Sequence, residues 1–513
     1  MKRFTQPDSL FVCAFAAMLI TYVWIMVTKT IPTGDETISY LSATGNQEAY
    51  EQVRLQHDVY GKVTTASDWQ KFFQSKPGSF KNIAPELTKT DLHPPLYFWL
   101  LHMWLFLPIP LFISGVVLNV LLHTLSALVL LQMGKQLNFS QSVRLLALLL
   151  WCLSPAILPV GFQARQYELL GLFHLAMLWS YLQFVQQAKT KYIILFAAFT
   201  LGGMLTQYLM LYFVFAYVAY AMLIKRNPKQ AAYLLLAILS SLLLLWLIHP
   251  GVVDQFLLQQ HRAQNFNWNE LPLRTGKVVL AFVQLLFPVL QLKAMWMQLS
   301  NMMVLMVIGL LLLGVFLLGY FNRKKLLQLT ILMQPSFIGW FLCCAIVLAV
   351  VPYLLFLTPQ HAMGGHYLML VYPLIAYFIA IQIEKINWHA AWFLLLLCIG
   401  MLLYLYDYAR LQHQGKQLLS KLNQQDMILV NSVDRRGFLR VVPYLTHQRI
   451  IMDEQLNPCA IDEIKKIAWT DQATAHQAKP YLNASTQTFD LTDGVEVSLT
   501  DSFFCASLPS LSK

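Results

Sequence analysis

Charged residues are scarce in this sequence. Lys, Arg, Asp and Glu supply 12% of the 513 residues, whereas 57% are hydrophobic and the mean hydropathy is +0.54. A typical soluble domain carries about a quarter charged residues. The composition therefore excludes an ordinary soluble protein and indicates a polytopic membrane protein.

Metal-binding and nucleic-acid-binding patterns are also missing. There are only seven cysteines, with no CxxC or Cys/His spacing typical of a zinc site, so we expect no metal and no cofactor. No basic patch is interleaved with aromatic residues, so the net charge of +11 does not indicate nucleic acid. The two cysteines of the polar tail, Cys459 and Cys505, are candidates for a disulfide, with two unpaired thiols as the alternative.

The basic residues lie in clusters between apolar runs and indicate the orientation of the chain. The first run, 10–28, follows two basic residues and predicts a retained signal anchor with a cytoplasmic N-terminus. Each crossing moves the chain to the opposite side of the membrane. If Lys135 and the later basic clusters all lie in the cytoplasm, only about 11 of the apolar runs can cross. The count makes runs 94–107 and 277–292 interfacial or re-entrant and places the C-terminal tail outside.

This topology divides the chain into two predicted domains. Residues 1–406 form a transmembrane module with outer loops at 30–93 and 250–300. Residues 407–513 form a small α/β extracytoplasmic domain, because short β-like runs such as "DMILVN" and "RIIMD" flank a helix-like segment.

Polar residues occur at four helix ends that the topology places outside. Each has a plain structural explanation: a hydrated loop, an interfacial aromatic belt, a snorkelling arginine or a flexible loop. Each also fits a lipid phosphate lying at the membrane surface, and their shared location favours a common site. The stretches are "DE" at Asp35 and Glu36, "DLHPPLYFWLLHMW" with Asp91 and His93, "GFQARQYELLGLF" with Arg165 and Glu168, and "GGHYLMLVYPL" with His366 and Tyr367.

In this order, the stretches resemble those of bacterial GT-C-fold glycosyltransferases, the relatives of protein O-mannosyltransferases and lipid A aminoarabinose transferases. The resemblance covers residues 1 to about 385, and "HPPLY" is its most specific part. The tail looks like the periplasmic domain that some members carry.

The resemblance implies a polyprenyl-phosphate-linked sugar donor, a lipid, protein or glycan acceptor, and a multi-pass enzyme of the bacterial inner membrane whose active site faces the periplasm. Asp35 matches the family's catalytic acid, with Glu36 as the alternative. His93 and His366 stand where relatives carry Lys and Arg. The implied donor-phosphate residues are Arg165, His93, His366, Tyr167 and Tyr367, and Asp91 and Tyr40 are expected in the substrate cavity.

Sugar transfer from such a donor requires only one catalytic carboxylate. The phosphate is already a good leaving group, so a single inverting displacement requires a base for the acceptor and a cation for the developing charge. A transporter or flippase is the alternative, and it predicts ionisable residues in mid-helix and inverted repeats. The middles of the long runs look apolar, which does not favour it. A non-catalytic assembly protein is a further alternative, but this function would give Asp35 and Arg165 no role.

Overall fold

The structure is a computed structural model that describes most of the membrane module and part of the tail. The described residues are 6–55, 63–91, 93–255, 257, 269, 271–283, 337–356, 365–385, 390–423, 427–431, 442–453, 467–469, 486–490 and 496–500. Both tail cysteines, and with them the predicted disulfide, lie outside these ranges.

The described part is mainly helical, and its elements are numbered here in chain order. The helices are α1 (Gln6–Thr28), α2 (Gly34–Thr44), α3 (Gln47–Leu55), α4 (Ala66–Gln70), α5 (Phe80–Thr90), α6 (Leu96–Trp104), α7 (Leu111–Gln136), α8 (Gln141–Leu153), α9 (Leu158–Phe162), α10 (Tyr167–Gln187), α11 (Thr190–Met204), α12 (Leu209–Ala219), α13 (Pro228–Ile248), α14 (Leu271–Val283), α15 (Phe337–Phe356), α16 (Tyr372–Lys385) and α17 (Ala390–Leu422).

Several of these helices are suited to a bilayer. Within the described ranges, four contain segments long and apolar enough to cross it, namely Phe11–Thr28, Leu111–Gln136, Tyr167–Gln187 and Pro228–Ile248. Shorter apolar helices pack beside them in one hydrophobic core. The protein is a multi-pass membrane protein. The total of eleven spans stays a prediction, because the apolar run at 301–320 and most of 277–292 lie outside the described residues.

The run at 94–107 contains a short helix, and its interfacial or re-entrant placement stays a prediction. Helix α6 has nine residues, which at 1.5 Å per residue is about 13 Å and too short to cross a bilayer core of about 30 Å. Its residues Tyr97, Phe98 and Leu101 are fully buried. They belong to a second hydrophobic core, which the predicted outer loop 30–93 forms with α6 and the start of α7.

A six-stranded sheet joins this outer loop to the tail. Its strands are β1 (Val63–Thr65), β2 (Met427–Asn431), β3 (Arg449–Asp453), β4 (Ile467–Trp469), β5 (Thr486–Asp490) and β6 (Glu496–Thr500), in the order β1-β3-β2-β4-β6-β5. Strand β2 pairs parallel with β3 and β4, whereas β1 pairs antiparallel with β3, with Thr64 opposite Ile450. The predicted boundary at residue 407 falls within α17, and the division into two domains stays a prediction.

Candidate active site

Helix α2 begins directly after the first membrane helix because a capping box starts it. The Thr33 hydroxyl accepts a hydrogen bond from the Glu36 N–H at 3.3 Å, and Glu36 Oε2 accepts one from the Thr33 N–H at 2.8 Å. Asp35 and Glu36 both lie in the first turn, where the helix dipole favours negative charge. The cap thus fixes where the adjacent carboxylates leave the backbone.

Glu36 forms a buried network with the end of α1. Its carboxylate pairs with Lys29 and accepts a hydrogen bond from the Ala164 N–H at 3.0 Å. Lys29 also donates to the Phe162 carbonyl at 2.9 Å. Glu36 is fully buried, so this network holds the 162–164 segment against α2. The arrangement explains Glu36 as a structural carboxylate.

Arg165 lies at the centre of the predicted outer-side residues. Its guanidinium donates to the Asp35 main-chain carbonyl at 3.3 Å and to the Ser39 hydroxyl at 3.2 Å, and it lies 3.1 Å from His93 Nε2. The side chain is buried, which removes most competition from water. A snorkelling arginine would reach for solvent, so the burial of Arg165 does not fit that explanation.

Two aromatic side chains lie beside this guanidinium. The Arg165 Cζ is 5.9 Å from the ring centroid of Tyr167, within the range of a cation–π contact. The Tyr167 ring is in turn 4.5 Å from the His366 ring, centroid to centroid. Residues from the start of α10 and from the 3₁₀ turn Gly365–Leu368 therefore meet at one place. Tyr367 lies in the same turn, but its side chain is outside the described part.

The side-chain amide of Gln255 fixes the segment that carries Asp91 and His93. His93 Nε2 is 3.8 Å from the Asp91 carboxylate. The Gln255 side chain donates to the Asp91 carbonyl at 3.1 Å and to the His93 carbonyl at 3.3 Å. These contacts position His93 against Arg165.

A second amide holds the turn that carries Arg165. Asn119, fully buried in α7, donates to the Gln163 carbonyl and, at 3.2 Å, to the Arg165 carbonyl. Its own oxygen accepts from the Tyr97 hydroxyl at 3.1 Å. Buried carbonyls need such donors, because an unpaired one costs about 1–3 kcal/mol. Asn119 thus fixes the turn and links it to α6.

The charges of the site are set by burial and by neighbouring residues. Burial lowers the pKa of His366 to about 3, with Arg165 adding to the effect, and burial likewise lowers the pKa of His93 against the opposing charge of Asp91. Burial also acts against the charge of Arg165, but Tyr167, Asp35 and Asp91 outweigh it and raise its pKa. Near neutral pH, Arg165 is therefore cationic and both histidines are neutral.

A buried contact between a histidine and a carboxylate joins two of the helices. His123 Nδ1 of α7 lies 3.1 Å from the Glu168 carboxylate of α10, and both side chains are completely buried. Trp151 stacks on the His123 ring at 5.2 Å. The expectation that the middles of the long runs are apolar is therefore wrong for α7. Apolar neighbours in the sequence hide these polar positions, which face other helices instead of lipid.

The structure brings together six of the nine predicted site residues: Asp35, Asp91, His93, Arg165, Tyr167 and His366. Glu36 lies beside them on the Lys29 network. Tyr40 is fully buried in the second core, where its hydroxyl accepts from the Gly115 N–H at 3.1 Å. Sequence reasoning missed Lys29, Asn119 and Gln255. Within the described residues, no group of three His, Cys, Asp or Glu side chains is placed to hold a metal ion.

Comparison with family models gives a match over part of the chain. Residues 92–250 match the family model of dolichyl-phosphate-mannose-protein mannosyltransferase, a segment that includes His93, Arg165 and Tyr167. The resemblance to glycosyltransferases related to protein mannosyltransferases is thereby confirmed. The matched segment is less than a third of the chain. No curated protein matches the sequence.

Solved structures also match the chain, at low sequence identity. ArnT from Cupriavidus metallidurans, bound to undecaprenyl phosphate, has 12% identity and a TM-score of 0.47, and the match covers 98% of this chain and 99% of that one. Its apo structure gives the same identity and TM-score. The Archaeoglobus fulgidus oligosaccharyltransferase, in complex with zinc and sulfate, has 10% identity and a TM-score of 0.45, over 93% of this chain and 72% of that one.

Proposed function

We propose that the protein is an inverting glycosyltransferase that moves a sugar from a polyprenyl-phosphate donor to an acceptor on the extracytoplasmic side of the membrane. The convergence of Asp35, His93, Arg165, Tyr167 and His366 from four separate segments carries the proposal. The family match over residues 92–250 supports it.

In the proposed mechanism, the donor phosphate binds beside Arg165. A guanidinium offers a planar pair of donors that matches two phosphate oxygens, and burial strengthens the attraction. Arg165 already lies within 3.3 Å of three acceptor groups, so its position is set before the ligand arrives. As the glycosidic bond breaks, its electron pair moves to the phosphate, and Arg165 stabilises the added charge.

Asp35 is proposed as the general base. Its carboxylate takes the proton of the acceptor hydroxyl while that oxygen attacks the anomeric carbon from the face opposite the phosphate. The carbon–oxygen bond to the acceptor forms as the bond to phosphate breaks, so the configuration inverts with a single catalytic carboxylate. Glu36 is less suited to the role, since it is fully buried and paired with Lys29.

The finer assignments are part of the same proposal. The transferred group is a hexose or a pentose, and the acceptor is a lipid, a protein or a glycan. The membrane is the bacterial inner membrane, with the site facing the periplasm and the tail forming a periplasmic α/β domain. The short strands β2 and β3, which pair in parallel, support the α/β assignment.

Binding and turnover of a lipid donor test the proposal. Protein in nanodiscs would be titrated with undecaprenyl phosphate, and hydrolysis of a panel of undecaprenyl-phosphate sugars would be followed without acceptor. We expect binding in the wild type and a loss of about 2–4 kcal/mol of transition-state stabilisation in Arg165→Ala, as for one oxyanion donor. Arg165→Lys should recover only part, because the planar pair of donors is lost.

Arg226→Ala is the matched control, since Arg226 is exposed and lies between α12 and α13, far from α2 in the chain. It should bind and turn over donor as the wild type does. Unchanged kcat/KM in Arg165→Ala, or no binding of undecaprenyl phosphate by the wild type, would refute the proposal.

The buried His123–Glu168 pair favours a second candidate, a transporter or flippase. Ionisable pairs between membrane helices commonly mark ion or substrate paths. Proteoliposomes separate the two functions. A transporter moves labelled undecaprenyl-phosphate sugar between leaflets and leaves the glycosidic bond intact, whereas the transferase releases undecaprenyl phosphate on the outer side.

A further inference from the structure

A cavity of about 170 Å³ lies next to the two segments that carry Asp35 and Arg165. It is formed by the end of α1, the start of α2, the α9 segment and the part of α17 near residue 407. Its wall includes Glu36 and Gln163, the immediate neighbour of Asp35 and a near neighbour of Arg165. The cavity is thus adjacent to the proposed phosphate site without sharing its residues.

Aromatic rings form one part of the wall. Tyr404 and Tyr408, one turn apart on α17, are stacked with centroids 6.3 Å apart, and Phe162 is 6.4 Å from Tyr404. The C–H groups on one face of a sugar ring carry partial positive charge and pack against the negative face of such rings. Repeated aromatic rings beside polar groups favour a ligand that is apolar on one face and hydroxylated at its edge.

The charges in the wall are balanced. Glu36 pairs with Lys29, and Asp407 pairs with Arg410 at 2.8 Å. Each carboxylate therefore has its own cation, and an ionic ligand would bring a charge for which these pairs leave no free partner. The balance favours a neutral ligand over a phosphate or an amine.

Unused hydrogen-bonding capacity supports the same conclusion. The Tyr408 hydroxyl is buried and has no partner among the residues that the structure describes. Buried hydroxyls are normally hydrogen-bonded, so one without a partner at a cavity wall points to a ligand. The volume is below the roughly 300–1,000 Å³ of pockets for drug-sized molecules, which limits the ligand to about one ring.

We propose that this cavity binds one neutral pyranose or furanose ring, stacked on Tyr404 and Tyr408 and hydrogen-bonded to the Tyr408 hydroxyl. The inference rests on the proposed transferase function for its purpose, because the ring belongs either to the acceptor or to the donor. In both cases it lies against Glu36, the neighbour of Asp35 in the chain, and for an acceptor it makes a glycan or glycolipid a better substrate than a peptide hydroxyl.

Saturation-transfer NMR with a panel of neutral methyl glycosides tests the site in nanodiscs. At least one glycoside should bind the wild type saturably, and Tyr408→Ala should weaken that binding at least fivefold. Tyr408→Phe, which removes only the hydroxyl, should weaken it less. Tyr406→Ala is the matched control, because Tyr406 lies on the same helix but is 59% exposed; it should bind as the wild type does.

The two sources of the ring are separated by competition. Displacement of the glycoside by an undecaprenyl-phosphate sugar, but not by bare undecaprenyl phosphate, assigns the cavity to the donor's ring. Binding alongside both assigns it to the acceptor's ring. A wild type that binds no glycoside, or binding that survives both Tyr404→Ala and Tyr408→Ala, would overturn the inference. Binding of undecaprenyl phosphate is measured on the same samples. A variant that still binds it is folded, and a wild type that does not bind it contradicts the proposed function and not only the sugar site.

Discussion

Asp35 and Glu36 are adjacent in the first turn of α2 but contact different parts of the protein. Arg165 donates to the main-chain carbonyl of Asp35, whereas the carboxylate of Glu36 pairs with Lys29. The two acids therefore have separable roles, and substitution of each should affect a different property.

Asp35→Asn should abolish transfer and leave the protein folded. Asn keeps the shape of the side chain but cannot accept a proton as a base, which removes a contribution of about 10²–10⁴-fold or more. Product formation is measured together with the melting temperature. The control is Asp254→Asn, at an exposed carboxylate, which should retain full activity. Near-wild-type turnover of a hydroxyl acceptor by Asp35→Asn would eliminate Asp35 as the base.

Glu36→Gln should mainly reduce stability. It leaves the buried Lys29 ammonium without its carboxylate, and breaking a buried pair costs about 3–5 kcal/mol. Thermal unfolding in detergent measures the effect. Glu48→Gln breaks the exposed pair with Lys89, which is worth at most about 1 kcal/mol, and serves as the comparison. Equal melting temperatures for the two variants would contradict the structural role of Glu36.

Asn119→Leu should slow turnover, although residue 119 does not contact the substrate in the proposed mechanism. It removes both donors from the Gln163 and Arg165 carbonyls, so the turn that carries Arg165 shifts. A displacement of about 1 Å costs roughly 10²-fold in rate. The kcat for donor hydrolysis checks this. Ser126→Ala, on the same helix, removes only a bond to the helix's own Leu122 carbonyl and should leave kcat unchanged. Wild-type kcat in Asn119→Leu would show that Asn119 does not position Arg165.

Acid should destabilise the protein partly through His366. Its folded-state pKa of about 3 is below its unfolded value near 6.5, so the unfolded chain binds more protons between these values. This contribution to stability is fully present above pH 6.5 and is lost as the pH falls, by up to about 1.4 kcal/mol per pH unit. The drop in melting temperature from pH 7 to pH 5 should be smaller in His366→Phe. An identical drop would mean that His366 is not held neutral.

The sequence predicts the parts of the site that lie at helix ends. Asp35, His93, Arg165 and His366 each stand out because a polar residue interrupts an apolar pattern on the outer side. Lys29 and Asn119 do not stand out in this way. Lys29 looks like a residue that ends a membrane helix, and Asn119 is one amide within an apolar run. Their roles depend on partners far along the chain, since Lys29 contacts Phe162 and Asn119 contacts Arg165.

The predicted outer loop 30–93 also depends on partners that are distant in the sequence. Its polar composition predicts an extracytoplasmic segment but not a packed core, because that core includes residues from α6, α7 and the end of α17. Tyr40, for example, packs its ring 5.0 Å from Phe112 of α7. Periodicity within one segment carries no information about such partners.

The pairing of β1 with β3 has a consequence for biogenesis. Thr64 is synthesised early, but its partner Ile450 follows 386 residues later. At about 5–20 residues per second, the early strand waits roughly 20–80 s for its neighbour. Strand β1 therefore completes its pairing only after α17 has been synthesised. A chain released before residue 450 exposes an unpaired strand edge, which can pair with another chain and so promotes aggregation.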